Sequence, residues 1–207
     1  MISSQRSGWI VLVKKNFSIT EIKKILQTYQ PPEIPRKNGF RPASVFIPFY
    51  PDPNGLSLVF TKRPDHLKSH SGQISFPGGS REPEDESDLV TALRETQEEI
   101  GVKSSDVEVW GRLKAGPSRY SRYWVTPFVG LIPFPYEFKL SRYEVERLII
   151  VPLSHLLDPQ NFSEDMYFRD NHSYKTLIYT YGRDVIWGLT ARILNNFLTL
   201  INTGREP

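Results

Sequence analysis

Apolar residues follow two different rhythms along this chain. From Ala43 they crowd into Val45, Phe46, Ile47 and Phe49, break at Asp52-Pro53-Asn54-Gly55, and resume over Leu56–Thr61. Two short apolar runs on either side of a turn-forming tetrapeptide predict a β-hairpin. Val107–Leu113, Trp124–Ile132, Arg147–Val151 and Lys175–Tyr181 carry the same strand-like density. Elsewhere the period lengthens, and Ser87–Ile100, Leu153–Leu157 and Val185–Ile201 read as helices. In the last of these, Ile186, Leu189, Ile193, Leu194, Phe197 and Leu198 form a stripe at helical core spacing, which predicts packing. Strands with helices between and after them predict an α+β or α/β sandwich rather than an all-β barrel.

A separate amphipathic segment precedes the first strand. Ser18-Ile19-Thr20-Glu21 has the spacing of a capping box, and Ile22, Ile25 and Leu26 follow on one face. The expected helix ends near Tyr29, and Pro31, Pro32 and Pro35 make an extended linker beyond it, because proline lacks the donor a helix needs. The pattern divides the chain into an N-terminal extension packed on the domain (residues 1–41), a domain (42–203) and a short tail (204–207).

Composition narrows the setting. At 207 residues the chain suits one well-buried domain. No run approaches the roughly 18 apolar residues of a membrane span, and Trp9–Val13 is too short for a secretory core of about 7 to 15 residues. The absence of cysteine excludes disulfides, a thiol nucleophile and thiolate metal sites, and fits a reducing compartment; the cytoplasm is the expected location. A net charge of +3 permits anionic ligands, but its even spread argues against nucleic acid as a partner.

The most informative stretch is Phe76-Pro77-Gly78-Gly79, running through Glu86 into the helix that ends at Gly101. Leu89, Ala92, Leu93, Thr96 and Ile100 share a face, while Glu95, Glu98 and Glu99 fall on another flank at helical-neighbour spacing. Each like-charge pair costs roughly 0.2–0.5 kcal/mol in water, and the acids sit at the end of the helix dipole that disfavours anions. No Lys or Arg lies within 95–102 to relieve them. A hard divalent cation would, since Mg²⁺ takes carboxylate oxygens and keeps places for water and substrate phosphates. Gly78 and Gly79 let the backbone come close to a ligand, and Arg94 could orient a carboxylate or meet a phosphate oxygen.

This segment resembles the signature of the Nudix hydrolases, G-x5-E-x7-R-E-U-x-E-E-x-G-U with U apolar. Arg94-Glu95, Glu98-Glu99 and Gly101-Val102 match, with Thr96 at a position that is usually apolar. The upstream acid has two candidates: Glu86, eight residues before Arg94, and Asp85, six residues after Gly79. Immediately before it, Thr61, Arg63, Gly72, Phe76, Pro77, Gly78 and Gly79 match in register the extra signature of the coenzyme A diphosphatase branch, with Lys68 where that signature has Arg.

The resemblance implies an α/β/α sandwich, a mixed sheet flanked by helices, and metal-dependent hydrolysis of a nucleoside diphosphate derivative. For the branch this means coenzyme A, cleaved to 3′,5′-ADP and 4′-phosphopantetheine; the alternatives are ADP-ribose or a dinucleotide as substrate, or a catalytically inactive nucleotide-binding module. It implies Glu95, Glu99 and Glu98 as ligands of Mg²⁺ or Mn²⁺, with Arg94 in the catalytic group. Glu144 is the first candidate for general base and Glu98 the alternative. Arg63, Lys68, His70, Gly78 and Gly79 are the expected substrate contacts, in a basic loop suited to phosphates. The expected partner is a small molecule, with no nucleic acid and no membrane; a homodimer stays open.

Overall fold

The computed structural model describes residues 16–53, 55–66, 72–118, 121–169 and 172–206. In chain order the elements are α1 (Ile19–Thr28), β1 (Arg41–Asp52), β2 (Gly55–Lys62), β3 (Ile74–Ser75), β4 (Gly78–Ser80), α2 (Asp88–Ile100), β5 (Glu108–Arg112), β6 (Gly116–Pro117), β7 (Tyr123–Leu131), β8 (Arg147–Pro152), α3 (Leu153–Leu156), β9 (Phe162–Arg169), β10 (His172–Tyr181), β11 (Asp184–Trp187) and α4 (Gly188–Thr203). The large mixed sheet runs β3-β2-β1-β7-β5; β8 pairs with β2, β4 with β1 and β6 with β7. Its centre is the parallel pair β1/β7, in register from Arg41↔Tyr123 to Phe49↔Leu131.

Alternation along these strands sends side chains to two cores. Phe46, Tyr50, Val59 and Phe128 face Ala92 and Ile100 of α2, together with Val145. Ile47, Phe49, Leu58, Phe60, Val125 and Val129 face the opposite way, against Ile22 and Leu26 of α1 and Leu194 and Phe197 of α4. The sheet is thus covered by helices on both faces, the expected sandwich. A second, three-stranded antiparallel sheet, β11-β10-β9, joins the α4 side through Tyr179 and Ile186. Among the described residues no helix is long and apolar enough to cross a membrane.

Several boundaries differ from the sequence pattern. The window Val185–Ile201 is not one helix: residues 184–187 pair with β10 as β11, and Gly188, at φ +65°, turns the chain into α4. Strand β9 is new; it pairs with β10 from Phe162↔Tyr179 to Arg169↔His172. The capping box is formed, with Ser18 Oγ accepting from the Glu21 N–H and the Glu21 carboxylate accepting from the Ser18 N–H. Residues 204–206 are tied down rather than trailing: the Glu206 carboxylate accepts from the Lys114 N–H at 3.0 Å and from the Tyr29 hydroxyl. α1 and the chain end therefore meet on the same side of the molecule.

Candidate active site

Strand β4 places the two glycines, and each is required by a close approach. Gly78 has φ +154°, and a Cβ there would lie 2.3 Å from the Ser44 carbonyl oxygen on β1. At Gly79 a Cβ would lie 2.3 Å from Oε1 and 2.6 Å from Oε2 of Glu95. The Glu95 carboxylate thus occupies the space that a side chain on β4 would take.

Helix α2 presents its acids to that strand. Ser87 caps its N-terminus, accepting from the Val90 N–H, and Gly101 closes it at φ +74°. The three carboxylates share a flank at helical-neighbour spacing but differ in exposure. Glu99 is buried at 5% exposure, Glu95 is half-buried, and Glu98 points to solvent, where Arg94 Nη1 donates to it at 2.9 Å. Among the described residues no three acidic or histidine side chains are already gathered as a ligand set. Thr96, at the usually apolar position, is buried and donates to the Ala92 carbonyl at 2.6 Å.

Arg94 organises the surroundings. Its Nε and Nη2 donate to the two carboxylate oxygens of Asp85, both at 3.0 Å, and Nη2 also reaches the Ser80 carbonyl and lies 3.1 Å from Glu95 Oε1. All three of its nitrogens are engaged, so the geometry supports orientation of carboxylates over contact with a phosphate. Asp85 is also the acceptor for Thr91 Oγ1 and the Glu82 N–H. The hydrogen bonds from Arg94 come first among the causes that hold its carboxyl down at about 2. Asp85, not Glu86, is therefore the upstream acid, with one extra residue between it and Arg94.

Glu99 has the opposite environment. Burial first, then the charges of Glu95 and Glu144, push its carboxyl up to about 8, against the pull of Arg63 and the Gly78 N–H. Its Oε2 is buried with no hydrogen-bond partner. Burial also raises Glu95, with Glu98 and Glu144 acting in the same direction against Arg94. Glu144, half-buried on the segment before β8, is thus brought to the acids of α2 from a distant part of the chain. Two neighbouring acids, one with an orphaned buried oxygen, are a donor set that suits a hard cation.

Arg63 stands on the other side of the glycines. Its Nε is buried without a partner, and with Gly78 and Gly79 it lines a cavity of about 660 Å³. The far wall is largely apolar: Tyr123 and Val125 from β7, Leu177 from β10, and Trp187, Leu189 and Ile193 from β11 and α4. Leu189 and Ile193, read from sequence as packing alone, also form part of this wall. Lys68 and His70 lie outside the described residues. Of the basic loop, Lys62 is paired with Glu146 at 3.0 Å on β2 and the β8 approach. The structure thus brings together Arg63, Gly78, Gly79, Glu95, Glu99 and Glu144, with Glu98 at the exposed edge, tied to Glu95 through Arg94.

The NUDIX domain family model matches residues 40–171. The chain is 39% identical over 158 residues, 75% of its own length and 77% of theirs, to proteins of Yersinia pestis (strain Pestoides F) and Yersinia pseudotuberculosis serotype O:1b. Both relatives carry the name "Uncharacterized Nudix hydrolase NudL". Among solved structures, a NUDIX hydrolase from Alicyclobacillus acidocaldarius is similar at 16% identity and TM-score 0.49, covering 80% of this chain and 94% of that one. The chain belongs to the Nudix family. It is a hydrolase of diphosphate bonds in nucleoside diphosphate derivatives, of a family that uses divalent metal ions.

Proposed function

We propose that the protein hydrolyses the diphosphate of coenzyme A or its derivatives, giving 3′,5′-ADP and 4′-phosphopantetheine. The observation that carries the hydrolytic site is Glu99: a buried carboxylate with an unpartnered oxygen, facing Glu95 and Glu144 beside Gly78. The choice of coenzyme A rests on the register of Thr61, Arg63, Gly72 and Phe76-Pro77-Gly78-Gly79 with the branch signature. The apolar cavity beyond the glycines supports it, since it offers room for a long organic arm next to the acids.

Glu95 and Glu99 would hold a divalent cation, Mg²⁺ or Mn²⁺. When bound, such an ion neutralises charge on the diphosphate oxygens and acidifies the attacking water. The chain's own groups do the rest. Arg94 positions Glu95 and Asp85. Arg63, with its unpartnered buried Nε, meets a phosphate oxygen. A carboxylate oxygen of Glu144 accepts the proton of the water that attacks phosphorus, while the bridging P–O bond breaks. Glu98, held by Arg94 at the surface, is the weaker candidate for both ligand and base.

Incubation with coenzyme A, ADP-ribose and a dinucleotide, each with and without Mg²⁺, followed by mass spectrometry, tests the substrate. Release of 4′-phosphopantetheine in the metal-containing coenzyme A sample, faster than turnover of the other two, is expected. Faster cleavage of ADP-ribose or the dinucleotide would overturn the choice of coenzyme A and leave the hydrolase class standing.

A further inference from the structure

Below α2, one buried hydroxyl has no hydrogen bond. Ser44 is fully buried, and its Oγ has no partner. Its even-numbered neighbour on β1, Phe46, packs into the core under α2, so alternation puts Ser44 on that same face. Across the sheet Ser44 pairs with Gly79 on β4 and with Thr126 on β7. Cβ atoms of residues directly opposite in an antiparallel pair stand about 4.5–5.5 Å apart. The position where a Gly79 Cβ would be is filled by the Glu95 carboxylate, 2.3 Å away at Oε1. Ser44 and the Glu95 carboxylate therefore both border the place where a Gly79 side chain would stand, and the glycine lets the carboxylate lie on the side of the sheet that holds Ser44.

The other hydroxyls beneath or along α2 have their protons placed. Thr126 donates to Asp88 at 2.9 Å, Thr91 to Asp85 at 2.9 Å, and Thr96 to the Ala92 carbonyl. Only the Ser44 hydroxyl is left over among the buried hydroxyls described. A buried hydroxyl without a partner costs folding free energy, and an alanine there would avoid that cost. Its chemistry suits a demand that arises only when Glu95 is engaged. Arg94 Nη2 already holds Glu95 Oε1 from one side at 3.1 Å.

We propose that Ser44 is a positioning residue for Glu95, donating its hydroxyl proton to that carboxylate when Glu95 takes up a divalent cation. Groups that orient a ligand in this way typically contribute about 10- to 100-fold in metal affinity. The inference rests on the reading of Glu95 as a metal ligand, and the test separates the two. Mn²⁺ is titrated by calorimetry into the wild type and Ser44→Ala, and thermal unfolding of both is recorded in chelator.

The expected result is Mn²⁺ affinity about tenfold weaker in Ser44→Ala, with a metal-free Tm equal to or above that of the wild type. An unchanged dissociation constant overturns the role of Ser44 and leaves Glu95 as a ligand. A weaker constant accompanied by a lower metal-free Tm also overturns it, because the hydroxyl would then support the fold. A wild type that takes up no Mn²⁺ brings down the cation reading itself, and the role of Ser44 with it.

Discussion

Asp85 and Glu99 are both buried carboxylates, yet their surroundings drive them in opposite directions. Asp85 receives two hydrogen bonds from Arg94 and one each from Thr91 and the Glu82 backbone, so its charge is welcome. Glu99 is buried against Glu95 and Glu144, so its charge is unwelcome despite the pull of Arg63 and the Gly78 N–H. The sign for Asp85 follows from its depressed value of about 2 against an ordinary 3.8. Its stabilisation is complete above 3.8 and is lost as pH falls through 2. Asp85→Asn is expected to lower stability at neutral pH by about 2 kcal/mol and to flatten the loss of stability on acidification. Urea unfolding at a series of pH values checks this; parallel curves for the two proteins would show that Asp85 is not the partner of Arg94.

At the scale of elements, β4 and α2 form the site together, and the two glycines of β4 respond to different neighbours. A Cβ on Gly79 meets the far end of Glu95, a side chain that can swing aside, so Gly79→Ala is expected to fold with a Tm close to wild type. Turnover should fall about 100-fold as the carboxylate is displaced, roughly the loss seen when a charged catalytic contact is misplaced. A Cβ on Gly78 meets backbone at a φ that L-residues rarely adopt, so Gly78→Ala should lose several degrees of Tm. Thermal unfolding beside steady-state kinetics distinguishes the pair; a Gly79→Ala enzyme of full activity would contradict a role for Glu95 in the place it takes beside Gly79. Much of α2 was legible in the sequence, because Ser87, the apolar period and Gly101 are local signals. The split of Glu98 from Glu99 was not legible: about 100° around the helix separates burial from exposure, and what packs over each face is set by distant parts of the chain. Strand β9 and the β11/α4 break were hidden for a different reason. Val185 and Ile186 continue the helical period, and only pairing with β10, a long-range contact, shows them as strand.

Across the whole molecule, contacts distant in sequence assemble the site. Glu144 arrives from the approach to β8, Arg63 from the end of β2, and the cavity wall from β10, β11 and α4. The motif at 76–102 identified the chemistry, but no local pattern marks which wall faces it; Leu189 and Ile193 have the same spacing whether they line a cavity or fill a core. α1 belongs to this assembly as well, since Leu26 is buried in the core shared with α4. Leu26→Ala is expected to cost about 3 kcal/mol of global stability, as for other large-to-small changes in a core. A denaturant midpoint unchanged from wild type would show α1 to be detachable.

The claim on which the rest depends is that Glu99 holds a divalent cation for cleavage of a diphosphate. The rate of coenzyme A hydrolysis by wild type and Glu99→Gln in saturating Mg²⁺, with circular dichroism of both, tests it most directly. The predicted result is a fall on the order of 10²- to 10³-fold with an unchanged spectrum. Equal rates for the two proteins would contradict it.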